Sequence, residues 1–108
     1  MRHCIPPQAE VRSFLLHRRV AEKLAANPAL LGLALSNLDR WRDADGGESP
    51  DRQEWRFLLG GPLEDVLAVL VEPGERGDRL RKASPFPGAL TEEERRAILK
   101  AWRAGDVH

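Results

Sequence analysis

RLRKASPFPGALTEEERRAILKAW, running from Arg79 to Trp102, is the stretch whose reading decides the fold. It ends one helix, turns a rigid corner and starts another. Ser84-Pro85 closes the first, because a proline disfavours the α conformation in the residue before it. Pro87 and Gly88 keep the chain from restarting early. Thr91 and Glu94 then fit a capping box, in which the hydroxyl accepts from the Glu94 N–H while that carboxylate reaches back to the Thr91 N–H. Phe86, with Leu90 four residues on, is the apolar plug between the two helices. The final helix is expected from Glu92 to about Ala104, burying Ile98, Leu99 and Trp102 at helical spacing.

Working upstream, a helix over Glu75–Ala83 follows the break at Pro73-Gly74. Before it, Pro62 opens a helix whose Leu63, Val66, Leu67 and Leu70 keep the i, i+3, i+4, i+7 pattern. Ser49-Pro50 is an N-cap followed by a first-position proline. The short helix it starts carries Trp55, Leu58 and Leu59 on one face and ends at Gly60-Gly61. Asp43 to Ser49 reads as a polar loop. A second helix is expected from Pro28, capped by Asn27, to about Arg42, with Leu30, Leu31, Ala34, Leu38 and Trp41 as its apolar face. Gly32 inside it costs roughly 1 kcal/mol against alanine, and both a close helix contact and simple tolerance account for it. The first helix, Gln8 to Ala26, sets Val11, Phe14, Leu15, Ala21, Leu24 and Ala25 on one arc. Arg12, Arg19 and Lys23 line the other side, a solvated face by default and a binding stripe otherwise. No strand-like alternation occurs. The fold class is therefore all-α: one domain of five or six short helices over 8–104, with an extended lead at 1–7 and a tail at 105–108.

Composition agrees with that organisation. The chain has 108 residues, enough for one domain. Lys and Arg total 17 and so do Asp and Glu, so the formal charge is zero and no global basicity points to nucleic acid. No apolar run nears the ~20 residues that cross a bilayer, and the start of the chain lacks the apolar segment of a secretion signal. A single cysteine cannot form an internal disulfide, which fits a cytoplasmic protein.

The inventory of reactive groups is thin. Catalysis needs a nucleophile, acid or base held by partners within hydrogen-bond reach. Of the three histidines, His3 and His108 lie near the ends, and His17 sits mid-helix beside Arg18 and Arg19 as an ordinary boundary residue. Cys4 beside His3 lacks preorganised geometry in a proline-flanked lead. Asp43, Asp45 and Glu54 fall at positions one, three and twelve of a calcium loop, but Glu48 stands where position six requires glycine. Glu64-Asp65 and Glu92-Glu93-Glu94 complement helix dipoles. The expectation is a non-enzymatic protein with no metal and no cofactor.

Two binding readings follow. In the first, the partner is a protein: tryptophan and arginine, prominent here, are enriched at binding hot spots. Trp41, Trp55 and Trp102 each lie on an apolar helix face, and at least two of them are expected in the core. Val69, Val71, Phe57 and Leu33 point off those faces, and an exposed apolar patch among them would mark a docking site. In the second reading, 62–83 is a helix-turn-helix that binds DNA, with Arg76, Arg79, Arg81 and Lys82 on its reading helix. Glu72, Glu75 and Asp78 crowd the approach to phosphates, so this is the alternative.

The C-terminal third resembles a family of small bacterial helical proteins with the signature Leu-Arg-x-x-Ser-Pro-Phe-x-Gly-x-Leu-[Ser/Thr]-x-x-Glu-Arg. Leu80, Arg81, Ser84, Pro85, Phe86, Gly88, Leu90, Thr91, Glu94 and Arg95 carry the match. Weaker likeness extends upstream through His17 to Ala21, Leu38 to Trp41 and Trp55 to Leu59. Pro87 and Glu92 depart from the pattern at loop or first-turn positions. The resemblance implies no catalytic role. Through members similar to the helical antitoxin partners of toxin–antitoxin pairs, it implies a protein that covers another protein's surface, such as that of a nucleotidyltransferase-like toxin. It assigns no binding residue.

Overall fold

Helix-starting chemistry and apolar periodicity set the architecture. The computed structural model describes residues 8–104, so the lead expected at 1–7 and the tail at 105–108, with His3, Cys4 and His108, lie outside the described residues. Six helices follow in order: α1 (Gln8–Ala26), α2 (Leu30–Asp45), α3 (Pro50–Leu59), α4 (Leu63–Leu70), α5 (Glu75–Lys82) and α6 (Glu92–Arg103). No strand occurs among the described residues, and no helix there is long and apolar enough to cross a membrane. The α1 helix packs on α4, α5 and α6, while α3 joins α2 to α4 and α5.

Local signals are realised at most helix ends. The Ser49 hydroxyl accepts from the Arg52 N–H, and Pro50 is the first residue of α3. Both halves of the Thr91/Glu94 capping box are present at α6. The second helix differs from expectation. Asn27 is not its cap: Asn27 to Ala29 make a tight turn in which the N–H groups of Leu30, Leu31 and Gly32 bond three residues back, and α2 starts at Leu30 without a side-chain cap. It also runs on to Asp45, where the N–H groups of Gly46 and Gly47 both return to Arg42 O. Asp43 and Asp45 are therefore helical and no part of a loop. Open space surrounds Gly32, which leaves simple tolerance as the explanation there.

The core comprises Val20 and Leu24 of α1, Ala34 and Leu38 of α2, Trp55 and Leu59 of α3, Val66, Val69 and Leu70 of α4, Leu80 of α5, and Phe86 and Ala89 of the corner. Trp55 is fully buried and Phe86 stands edge-on to it, with ring centroids 5.9 Å apart at 79°. The indole N–H of Trp55 donates to Leu80 O at 2.7 Å, a carbonyl near the end of α5 that also accepts from the Ala83 N–H at 3.1 Å. Asn37 is also buried. Its amide nitrogen donates to Pro85 O at 3.0 Å and Pro87 O at 3.1 Å, pinning the corner to α2.

Four expectations about faces are corrected. Trp41 and Trp102 are only half-buried, so one tryptophan rather than two fills the core. Ile98, Leu99 and Trp102 are half-buried and α6 buries no residue fully, because α1 is the one helix on which it packs substantially. Of the residues set off the main faces, Val69 is buried, Leu33 and Val71 are half-buried, and Phe57 alone stands out at 82% exposure. Ala25, placed on the apolar arc of α1, is exposed, whereas Val20 is in the core.

The supposed solvated stripe of α1 is in part a seam. Lys23 Nζ donates to Glu94 Oε1 at 2.7 Å and to Ala89 O at 2.6 Å, and Arg19 reaches Glu94 Oε2 at 3.2 Å. Glu94 thus caps α6 and ties it to α1 together. The Lys23 ammonium, and next the Thr91 N–H, hold the Glu94 carboxyl down to about 2. A carboxylate depressed in the fold contributes stability that is complete above its unfolded value near 4.5 and is lost as pH falls towards 2. In Glu94→Gln this component is absent, so its urea midpoint should decline less between pH 5 and pH 2.5 than that of the parent protein. Parallel acid profiles of the two proteins would show no missing component.

Candidate functional site

The expected site residues fall in two groups, one facing α3 and α1 and the other at the corner before α6. The first is the α4–α5 hairpin. Arg81 is at its centre, with a side chain only 2% exposed. Its Nη1 donates to Glu72 O at 2.7 Å and lies 3.4 and 3.5 Å from Leu70 O and Val69 O, carbonyls at the end of α4 and just beyond it. Nη2 pairs with Asp78 at 2.7 Å, and the guanidinium carbon sits 5.2 Å from the centroid of the Phe14 ring. A fork of donors on one planar cation satisfies several acceptors at once, and cation charge suits the negative end of a helix. Arg81 Nε has no hydrogen-bond partner.

Arg81→Lys should therefore cost about 2 kcal/mol, because an ammonium cannot span these carbonyls and Asp78 together. Chemical denaturation checks this. An unchanged midpoint would show that the fork geometry is not what holds the hairpin.

The other cations of the supposed reading helix are also engaged. Arg76 pairs with Glu72 at 2.7 Å and Glu54 at 2.9 Å. Arg79 pairs with Asp51, and with Glu54 at 3.4 Å. Lys82 reaches Glu10 at 3.2 Å. Arg76 and Arg79 thus face α3, and Lys82 faces α1. Among the four, Arg81 is not on the surface at all. A helix, a short turn and a helix do occur over 62–83, but their cations fasten the domain together.

The second group is the corner itself. Ser84, Pro85, Phe86, Gly88, Leu90, Thr91 and Glu94 all belong to one connected arrangement. The Ser84 hydroxyl accepts from the Phe86 N–H at 3.2 Å, and Gly88 takes a φ of +93°, which an L side chain rarely adopts. Between this corner and α1 lies a cleft of about 310 Å³, walled by Leu16, His17, Lys82, Phe86, Leu90 and Arg95, with Arg81 beneath.

His17 is the one histidine among the described residues. Its Nδ1 is 2.7 Å from Ser13 O. A carbonyl only accepts, so Nδ1 carries the proton and Nε2 keeps the lone pair. Burial, opposed by that hydrogen bond and reinforced by nearby Arg81, lowers the pKa of the ring, so it is neutral at pH 7. No acid is bonded to it among the described residues. That arrangement orients the ring without making it a proton relay. The described residues contain no group of three or more His, Cys, Asp or Glu side chains able to hold a metal ion together.

Sequence reading missed Asn37 and Gly77. Asn37 carried a usable signal: it falls three residues after Ala34 and four before Trp41, on the apolar stripe of α2, where a polar residue is buried with a purpose. Gly77, in the first turn of α5, lies where a Cβ would meet Glu72 O at 1.9 Å. A glycine followed four residues later by an arginine, just after a helix break, was its only trace. No protein-family model, no curated protein and no solved structure matches this chain.

Proposed function

We propose that this protein is a non-catalytic interaction module, most concretely an antitoxin-like or regulatory subunit that acts by covering a partner protein's surface. The observation that carries the reading is the shallow seat of α6, whose Ile98, Leu99 and Trp102 stay half-buried on an otherwise well-packed domain. Contiguous apolar area left uncovered marks docking surfaces, and these three side chains are where α6 leaves apolar area part-covered. The resemblance of the 80–95 signature to a family with antitoxin-like members points the same way. The mechanism is steric: the partner's active surface is occluded, and no bond is made or broken.

DNA binding through 62–83 has less support. Arg76, Arg79 and Lys82 already hold carboxylates and Arg81 is buried, so few cations remain on that hairpin to displace counterions from a duplex. Tagged protein expressed at its native level in the cell that encodes it should co-purify with a stoichiometric companion. A chain that remains alone overturns the proposal. A salt-sensitive gel shift lost in an Arg76/Arg79 double alanine variant would favour DNA instead.

A further inference from the structure

Ion pairs are distributed unevenly over this electrically neutral chain. The cations of α3 and α5 almost all hold carboxylates: Arg52, Arg56, Arg76, Arg79, Arg81 and Lys82 each make at least one salt bridge. By contrast, Arg12 and Arg18 of α1 and Arg95, Arg96, Lys100 and Arg103 of α6 make none among the described residues. Arg40 of α2 makes none either, and Glu92 and Glu93 of α6 are likewise without an ion pair, so among the described residues α1 and α6 carry six unpaired cations against two unpaired carboxylates.

The cleft beside Arg95 repeats this excess on a smaller scale. Leu16, Phe86 and Leu90 give it apolar walls, Lys82 and Arg95 give it cations, and no carboxylate lines it. Lys82 already has Glu10, but Arg95 has no acidic partner among the described residues. An occupant of this cleft must therefore offer apolar area to Leu16 and Leu90 and negative charge to Arg95.

Resting on the interaction reading above, we propose that the cleft beside Arg95, between α1, the corner and the start of α6, docks an acidic amphipathic helix of the partner protein. A helix suits it because acidic and apolar side chains then alternate at the 3.6-residue period that a groove between two helices accepts. A second copy of this chain fits poorly, since a two-fold contact would set the same cations against each other. Nucleic acid would answer the charge but leave Leu16 and Leu90 without apolar cover.

The probes are fluorescein-labelled helical peptides sharing one leucine face, with glutamate, glutamine or lysine on the polar face, and a labelled single-stranded DNA. By fluorescence anisotropy the glutamate peptide should bind saturably and the lysine peptide should not. Arg95→Glu should weaken glutamate-peptide binding about tenfold or more. That variant keeps its fold, because Arg95 is exposed and an acid in the first turns of a helix suits the dipole. Unchanged thermal melting checks this point. Arg42→Gln, on α2 and outside the cleft, should leave binding as it was.

Equal binding of the glutamine peptide, no saturable binding, or tighter Arg95-dependent binding of DNA would each overturn the proposal. Failure of the wider reading looks different. A native companion retained equally by Arg95→Glu overturns this surface and leaves the interaction reading intact. The absence of any companion overturns the interaction reading itself.

Discussion

Gly77→Ala is expected to be among the most damaging single substitutions in this domain, at about 4 kcal/mol or more, the range reserved for changes with a specific steric cause. Inside an isolated helix the same change would be favourable by about 1 kcal/mol, because alanine is the better helix former. Here the added methyl would lie 1.9 Å from Glu72 O and 2.8 Å from its carbonyl carbon, both backbone atoms, and 3.1 Å from Arg81 Nη1. The two nearest are backbone, and the third is a side-chain end held by its bond to Glu72 O. Relief requires α5 to slide away from the end of α4, and that motion pulls Arg81 off the carbonyls it serves. The total stability of a domain this size is about 5–15 kcal/mol, so the variant should show a urea midpoint far below the parent. A neutral or stabilising result would show that the hairpin does not press Glu72 against α5.

Phe86→Ala comes next, at about 3–5 kcal/mol, the usual cost of emptying a buried aromatic site. The ring is 4% exposed and meets Trp55 edge-on. Its neighbours are held by directional bonds, from Trp55 to Leu80 O and from Asn37 to Pro85 O and Pro87 O, and so cannot easily collapse into the void. Thermal unfolding measures the loss, and the fluorescence of Trp55 should change with it. Melting close to the parent would mean that the corner is not the packing hub.

Much of this fold is legible in the sequence because its helix ends are written in local chemistry. Ser49 before Pro50, Thr91 with Glu94, and the unbroken Leu63 to Leu70 pattern each involve residues that find one another within a turn. The all-α class and the central place of Phe86 follow from them. What the sequence does not disclose is partnership at a distance. Periodicity identifies the apolar side of α6 but not that a single helix would cover it, so Trp102 could not be graded against Trp55. Nor does it tell which arginine turns inward. Arg79 and Arg81 are two residues apart, yet one lies in solvent against α3 and the other under three carbonyls, a difference set by where α4 stops. The cation-rich α1–α6 face was half visible. Arg12, Arg19 and Lys23 were legible as a stripe, but only the fold shows that Glu94 takes two of them.

That last contact bears on how the domain comes apart. Glu94 Oε1 accepts from both the Thr91 N–H and Lys23 Nζ, so one atom starts the final helix and moors it. Unwinding the start of the segment and losing this tie to α1 are thereby coupled. Local opening there is a single event rather than gradual fraying, and amide protons at the start of α6 should exchange with solvent together.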